Sequence, residues 1–238
     1  MSIEGDLDFT MLCQMSCRAR VDALLHSDNA LKELVDVLEP VNISVDDPPV
    51  LLKSTEVSHI LEKAPSLLDA EYDELLQYLH QTGRPYRAYS DLPHPSNTII
   101  LPPHAQRLMQ IHRDECVFSC EMSHKGNSAI QFYNPLTQAL DTGFIQQIWQ
   151  LPLEGTMHIF LQVCPHQPLS EQQEGQAPFK YYPGFMTRIV DALPSNTKII
   201  IEPAHIITHV TTLQRPAGTY NIGREVLVVC WAPNRGRR

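Results

Sequence analysis

Near Ser96 the hydrophobic period of this chain changes from that of a helix to that of a strand. Before it, Leu31, Leu34, Val35 and Leu38, and again Tyr72, Leu75, Leu76 and Leu79, fall at i, i+3, i+4 and i+7, which places them on one helical face. After it, apolar and β-branched residues come in runs too short for helices, separated by turn residues. The charge changes at the same place. Residues 1–95 hold 17 of the 27 acidic and 7 of the 18 basic residues, a balance of −10, and the remainder carries +1. Two parts with different surfaces, and different partners, follow from such asymmetry.

The first part reads as an acidic helical segment, residues 1–84. Asp28 caps one helix and Pro40 stops it, and a looser stripe through Phe9, Leu12, Met15, Ala19 and Leu24 precedes it. A two-turn helix is expected around Val57, Ile60 and Leu61 before Pro65. A longer one follows, capped by Asp69 and ended by Gly83. The faces Leu31/Val35/Leu38 and Tyr72/Leu76/Leu79 are oligomerisation surfaces on this reading. Residues 85–103 form a proline-rich linker or strap, extended at Pro93-His94-Pro95 because each proline drives its predecessor away from helix.

Residues 104–238 read as a mainly β, barrel-like domain with a basic tail, so the fold class is α+β: N-terminal helices, then a mainly antiparallel barrel or sandwich. The expected strands are Thr98–Leu101, Cys116–Met122, Ala129–Tyr133, Phe144–Trp149, Met157–Val163, Lys198–Ile201, Ile206–Thr212 and Val226–Trp231. Lys125-Gly126-Asn127 reads as a hairpin turn and Glu171–Pro178 as a polar insertion loop. With 43% apolar and 19% charged residues the chain can build a core. No apolar run approaches the roughly 18 residues of a membrane span. The acidic start, with Glu4, Asp6 and Asp8, is the reverse of a secretory or mitochondrial signal, which places the chain in cytoplasm or nucleus with reduced cysteines.

The 11 histidines and 6 cysteines raise a metal hypothesis that spacing argues against. Cys116, Cys120 and His124 lie four apart on an expected strand, ~13 Å per step at ~3.3 Å per residue, far beyond a shared zinc ion. His205 and His209 meet the same objection. No G-x-S-x-G elbow, protease cysteine context or phosphate loop is present, and no cofactor is implied. A hydrolase or nuclease site assembled from distant residues, for example His112, Asp114, Glu202 and His205, is the competing reading. The net charge of −9 opposes broad phosphate contact, leaving Arg235, Arg237 and Arg238 as a weak nucleic-acid contact. The aromatic cluster Phe179, Tyr181, Tyr182 and Phe185, with Trp149, could cage a peptide or a methylated ammonium.

Two family likenesses accompany this reading. Gly143-Phe144-Ile145-Gln146-Gln147-Ile148-Trp149, Phe160-Leu161-Gln162-Val163, Pro165–Leu169 and Lys198–Glu202 with Ile206 and Ile207 resemble the strand series of bromo-adjacent-homology (BAH) barrels, over about a third of the chain. Gln167 stands where that family often has arginine. Arg84-Pro85-Tyr86, Leu92-Pro93-His94-Pro95, Gly126-Asn127-Ser128, Ile201-Glu202-Pro203 with His209, and Asn234-Arg235-Gly236-Arg237 look like segments of the non-catalytic C-terminal region of fungal KDZ or Plavaka mobile-element proteins. Both imply a non-enzymatic module that binds a protein or peptide, chromatin-associated or mobile-element-associated. Neither implies DNA cleavage, since no acidic triad can be carried over.

Overall fold

The computed structural model describes residues 43–182, 184 and 186–231, apart from the side chain of Lys180. The expected helices at Phe9–Leu24 and Asp28–Pro40, the oligomerisation face Leu31/Val35/Leu38, Phe185, and Arg235, Arg237 and Arg238 lie outside them. Ile43 opens a contact unit that runs through the rest of the chain. No helix in the described residues is long and apolar enough to cross a membrane.

The first helix, α1 (Ser54–Lys63), starts where the Glu56 carboxylate accepts the Lys53 N–H at 2.8 Å, and it stops at Ala64 because Pro65 excludes helical geometry from its predecessor. The second, α2 (Asp69–Gln81), starts one residue earlier than the aspartate suggests. Leu68 is the cap position, its N–H taken by Glu71 Oε2 at 3.0 Å, and Asp69 serves as a first-turn anion instead. Gly83, at φ 80°, lets the chain turn left-handed and end the helix.

One face of α2 packs onto the sheet. Tyr72, Leu75, Tyr78 and Leu79 share a core with Tyr86, Leu101, Trp149, Leu151, Leu153 and Phe160. Leu75 and Leu79 have no exposed surface, and each such burial contributes about 2 kcal/mol. Tyr72 and Leu79 are therefore closed to a second copy of the chain. Both sides of the charge break at Ser96 build this core. The segment 85–103 takes part: β1 (Tyr86–Arg87) pairs in parallel with β2 (Ile99–Ile100), and the Tyr72 hydroxyl donates to Leu101 O at 3.0 Å.

The main sheet is antiparallel and nine-stranded. Its strands are β3 (Gln106–Leu108), β6 (Ala129–Tyr133), β7 (Leu140–Leu153), β8 (Thr156–Pro168), β9 (Thr187–Pro194), β10 (Ile199–Ile201), β11 (Ile206–His209), β12 (Thr211–Arg215) and β13 (Val226–Cys230). The order is β11-β6-β7-β8-β9-β13-β12, with β10 also on β8 and β3 on β7. A separate hairpin, β4 (Gln110–Arg113) and β5 (Cys116–Ser119), turns on Asp114 and Glu115 at φ 48° and 60°. The central β7–β8 hairpin turns on Glu154 and Gly155 at φ 52° and 80°. Two successive positive φ values give the twist that two-residue hairpins need.

A bulge between Ile145 and Gln147 adds one residue to β7, so Ile145 and Ile148, three apart, share a face. The opposite face carries Trp149, Leu151 and Leu153 toward α2. The barrel expectation is corrected in one respect: the hydrogen bonds do not close the sheet. Its two terminal strands, β11 and β12, are consecutive in the chain and joined through Val210, whose N–H donates to Ala129 O at 3.0 Å. The sheet bends until its ends meet through a covalent link instead of a ladder, and the single strand expected over Ile206–Thr212 is thereby divided.

The hairpin turn expected at Lys125-Gly126-Asn127 is a helical turn, α3 (Lys125–Ser128), capped by His124 Nδ1 accepting the Asn127 N–H at 3.1 Å. None of its residues has the positive φ a tight hairpin requires, and β5 pairs with β4 in place of β6.

Candidate functional site

An open cavity of 670 Å³ lies between β9, Trp231 after β13, and the excursion that follows β8. That excursion begins with α4 (Glu171–Glu174), capped by Ser170 Oγ accepting the Gln173 N–H at 3.4 Å. Pro178 then opens a 3₁₀ turn, Pro178–Tyr181, where proline's missing N–H costs nothing at a first helical position. This turn sets Phe179 into the groove. Its ring meets Tyr220 edge to face with centroids 5.9 Å apart and packs against the buried Leu169, Ala177, Ile189 and Val226.

Opposite, the Trp231 backbone N–H donates to Met186 O at 2.9 Å, and both residues line the groove. The floor is Thr187, Arg188 and Ile189 of β9. The Arg188 Nη2–H donates to Thr142 Oγ1 at 2.8 Å. Its Nε and Thr187 Oγ1 are buried with no hydrogen-bond partner among the described residues. Each such group costs about 1–3 kcal/mol unless an acceptor reaches it. Glu171 and Glu174 stand at the mouth. The lining of the groove thus combines a thioether, two aromatic side chains, and two carboxylates against one guanidinium.

Of the four aromatic residues read from the sequence as binding residues, Phe179 lines the groove. Tyr181 and Tyr182, 77% and 64% exposed, stand on the surface beside it and outside its lining. Trp149 is corrected: it is fully buried beneath α2, so it can join no cage with the two tyrosines. Met186, Arg188 and Trp231 were not read as site residues. The visible signal was the polar loop Glu171–Pro178 running directly into an aromatic cluster.

The residues of the alternative His and carboxylate set make structural contacts. Glu202 Oε1 takes the Arg84 Nη2–H at 2.7 Å and the Tyr78 hydroxyl at 3.2 Å, and the Glu202 N–H donates to His205 Nδ1 at 3.1 Å. Burial, with the Glu202 carboxylate beside it, raises the Tyr78 phenol well above its usual range. His112 is on β4, where its backbone exchanges hydrogen bonds with Ile43 and Val45. Asp114 is in the hairpin turn, 3.3 Å from Arg113. Among the described residues no group of three or more His, Cys, Asp or Glu is arranged to hold a metal. Cys116, Cys120, Cys164 and Cys230 are free thiols. Burial pushes Cys120 up to about 11 and also raises Cys164, the reverse of nucleophile activation.

No protein-family model matches the chain, and neither a curated protein nor a solved structure matches it significantly.

Proposed function

We propose that this chain is a non-enzymatic interaction module whose groove between α4, β9 and Trp231 binds a peptide segment carrying a lysine or arginine. The observation that carries the reading is a groove with Phe179 and Trp231 in its walls and the carboxylates of Glu171 and Glu174 in its lining. The backbone of a bound peptide would run along the β9 residues that form the floor. A cationic side chain above them would lie against Phe179 and Trp231, whose ring faces attract cations, and meet Glu171 and Glu174 at the mouth. The likeness of the β7 and β8 segments to BAH strands, and the mobile-element likeness, agree with a chromatin-associated or mobile-element-associated role in nucleus or cytoplasm.

Fluorescence anisotropy with two labelled peptides of equal length, one with a central lysine and one with glutamate there, tests the reading. The lysine peptide is expected to bind at least tenfold tighter, an advantage that E171Q/E174Q removes. Equal binding of the two peptides, or an unchanged lysine preference in E171Q/E174Q, would overturn it.

A further inference from the structure

A second cavity, of 320 Å³, shares a hydrogen-bonded wall with the groove. Thr142 Oγ1 accepts from Arg188 of the groove and lies 2.9 Å from His166 Nδ1, which faces this other cavity. Thr142 has a single proton to give. Donation of that proton to Nδ1, alongside acceptance of the Arg188 N–H, would place the hydrogen of the neutral ring on Nε2. His166 is 7% exposed, and its Nε2 is buried with no partner among the described residues. Burial, then the Arg188 charge, pushes the ring down to about 4, so it is neutral at physiological pH.

The rest of the lining has two characters. Phe144, which meets the His166 ring edge to face at 4.8 Å, forms an apolar wall with Pro165, Pro194 and Leu227. Lys125 and Lys198 supply positive charge. Lys125 Nζ stands 5.6 Å above the Phe144 ring and 4.0 Å from Glu121 Oε1. The Glu121 carboxylate, the one acidic group of the lining, is already occupied by the Gln146 amide at 2.7 Å and by Lys125. Lys198 has no carboxylate partner among the described residues. The cavity therefore has a net positive charge, a buried ring nitrogen without a partner among the described residues, and apolar walls. Its volume is at the small end of ligand cavities, which run about 300–1,000 Å³.

We propose that this cavity binds a small molecule with an anionic head, carboxylate or phosphate, on a flat apolar body. The head accepts from His166 Nε2–H and pairs with Lys198, while the body packs against Phe144 and Leu227. The site lies beside the peptide groove and takes a different class of ligand.

Titration of the full chain with benzoate and with phenylphosphate, followed by long-range proton–nitrogen NMR of the histidine rings, tests the proposal. At least one probe is expected to shift the His166 Nε2 resonance saturably at millimolar concentration, and the tighter of the two identifies the head group. K198M, which changes an exposed side chain and leaves the fold alone, is expected to weaken that binding about tenfold. No shift with either probe would mean that the cavity holds water only. That result, wild-type affinity in K198M, or equal binding of uncharged benzyl alcohol would each overturn the proposal.

Discussion

Arg224 sets its Nη1 2.6 Å from Oδ2 of Asp191, a carboxylate on β9 that is only 4% exposed. Its Nη2 donates to Gln173 Oε1 on α4 at 3.1 Å. One guanidinium thus satisfies a buried charge in the sheet and ties down the short helix that forms one wall of the groove. With Arg224 itself 47% exposed, water offsets part of the loss when it is removed. R224A is expected to cost about 2 kcal/mol in urea unfolding and to weaken binding of the lysine peptide, with R224K recovering part of the stability. Unchanged stability in R224A would show that the contact is incidental.

Gly143 lies where β7 and β8 come closest. A Cβ there would meet the backbone oxygen of Cys164 at 2.5 Å and the Val163 side chain at 2.9 Å. Backbone of a central strand cannot give way as the tip of a side chain can. G143A is expected to destabilise by about 2–4 kcal/mol, measured by chemical denaturation, whereas G184A, where a Cβ meets nothing within 4 Å, stays near wild type.

Legibility in the sequence followed where one force dominated. The α2 periodicity and the Ala129–Tyr133 strand were readable because each buries one regular face. Strand β9 was missed because Arg188 and Asp191 interrupt its apolar alternation, and their partners, Thr142 and Arg224, are remote in sequence. Strands β7 and β8 extend past their apolar centres to Pro152 and Pro168, and prolines read as strand ends. The aromatic cluster after Pro178 marked Phe179, which lines the groove. Trp149 was misplaced because period alone does not say which face of β7 is covered, and the cover, α2, comes from the far side of the charge break. Nothing local in Met186 or Trp231 marks them. They become neighbours of Phe179 only through the pairing of β9 with β13.

Histidine burial makes stability depend on pH in a defined direction. Unfolded, the His166 imidazole takes a proton near its ordinary 6.5; folded, it resists until about 4. Between those values the unfolded chain binds more protons, so stability is full above about pH 6.5 and falls as pH drops through the window, by up to about 3 kcal/mol from this group. His158 and His209 are also depressed by burial and act in the same direction. H166F keeps an aromatic ring beside Phe144 but cannot titrate. The loss of stability between pH 7 and pH 4.5, measured by urea unfolding, is expected to be smaller in H166F than in wild type. An identical loss in both would mean that His166 is protonated in the folded state.

The chain has two tryptophans, and the structure gives them opposite environments. Trp149 has no exposed surface and Trp231 lines the groove, half-buried. Trp149 emission is therefore expected to be blue-shifted and closed to acrylamide, and Trp231 emission to be quenchable. If the peptide occupies the groove, it covers the Trp231 indole and changes only that emission. W149F, which replaces a buried ring whose N–H has no partner among the described residues, should cost about 1–2 kcal/mol through lost volume while retaining the full fluorescence response to the lysine peptide. W231F should abolish the response. A response that survives in W231F and disappears in W149F would place the ligand beneath α2 and refute the groove as its site.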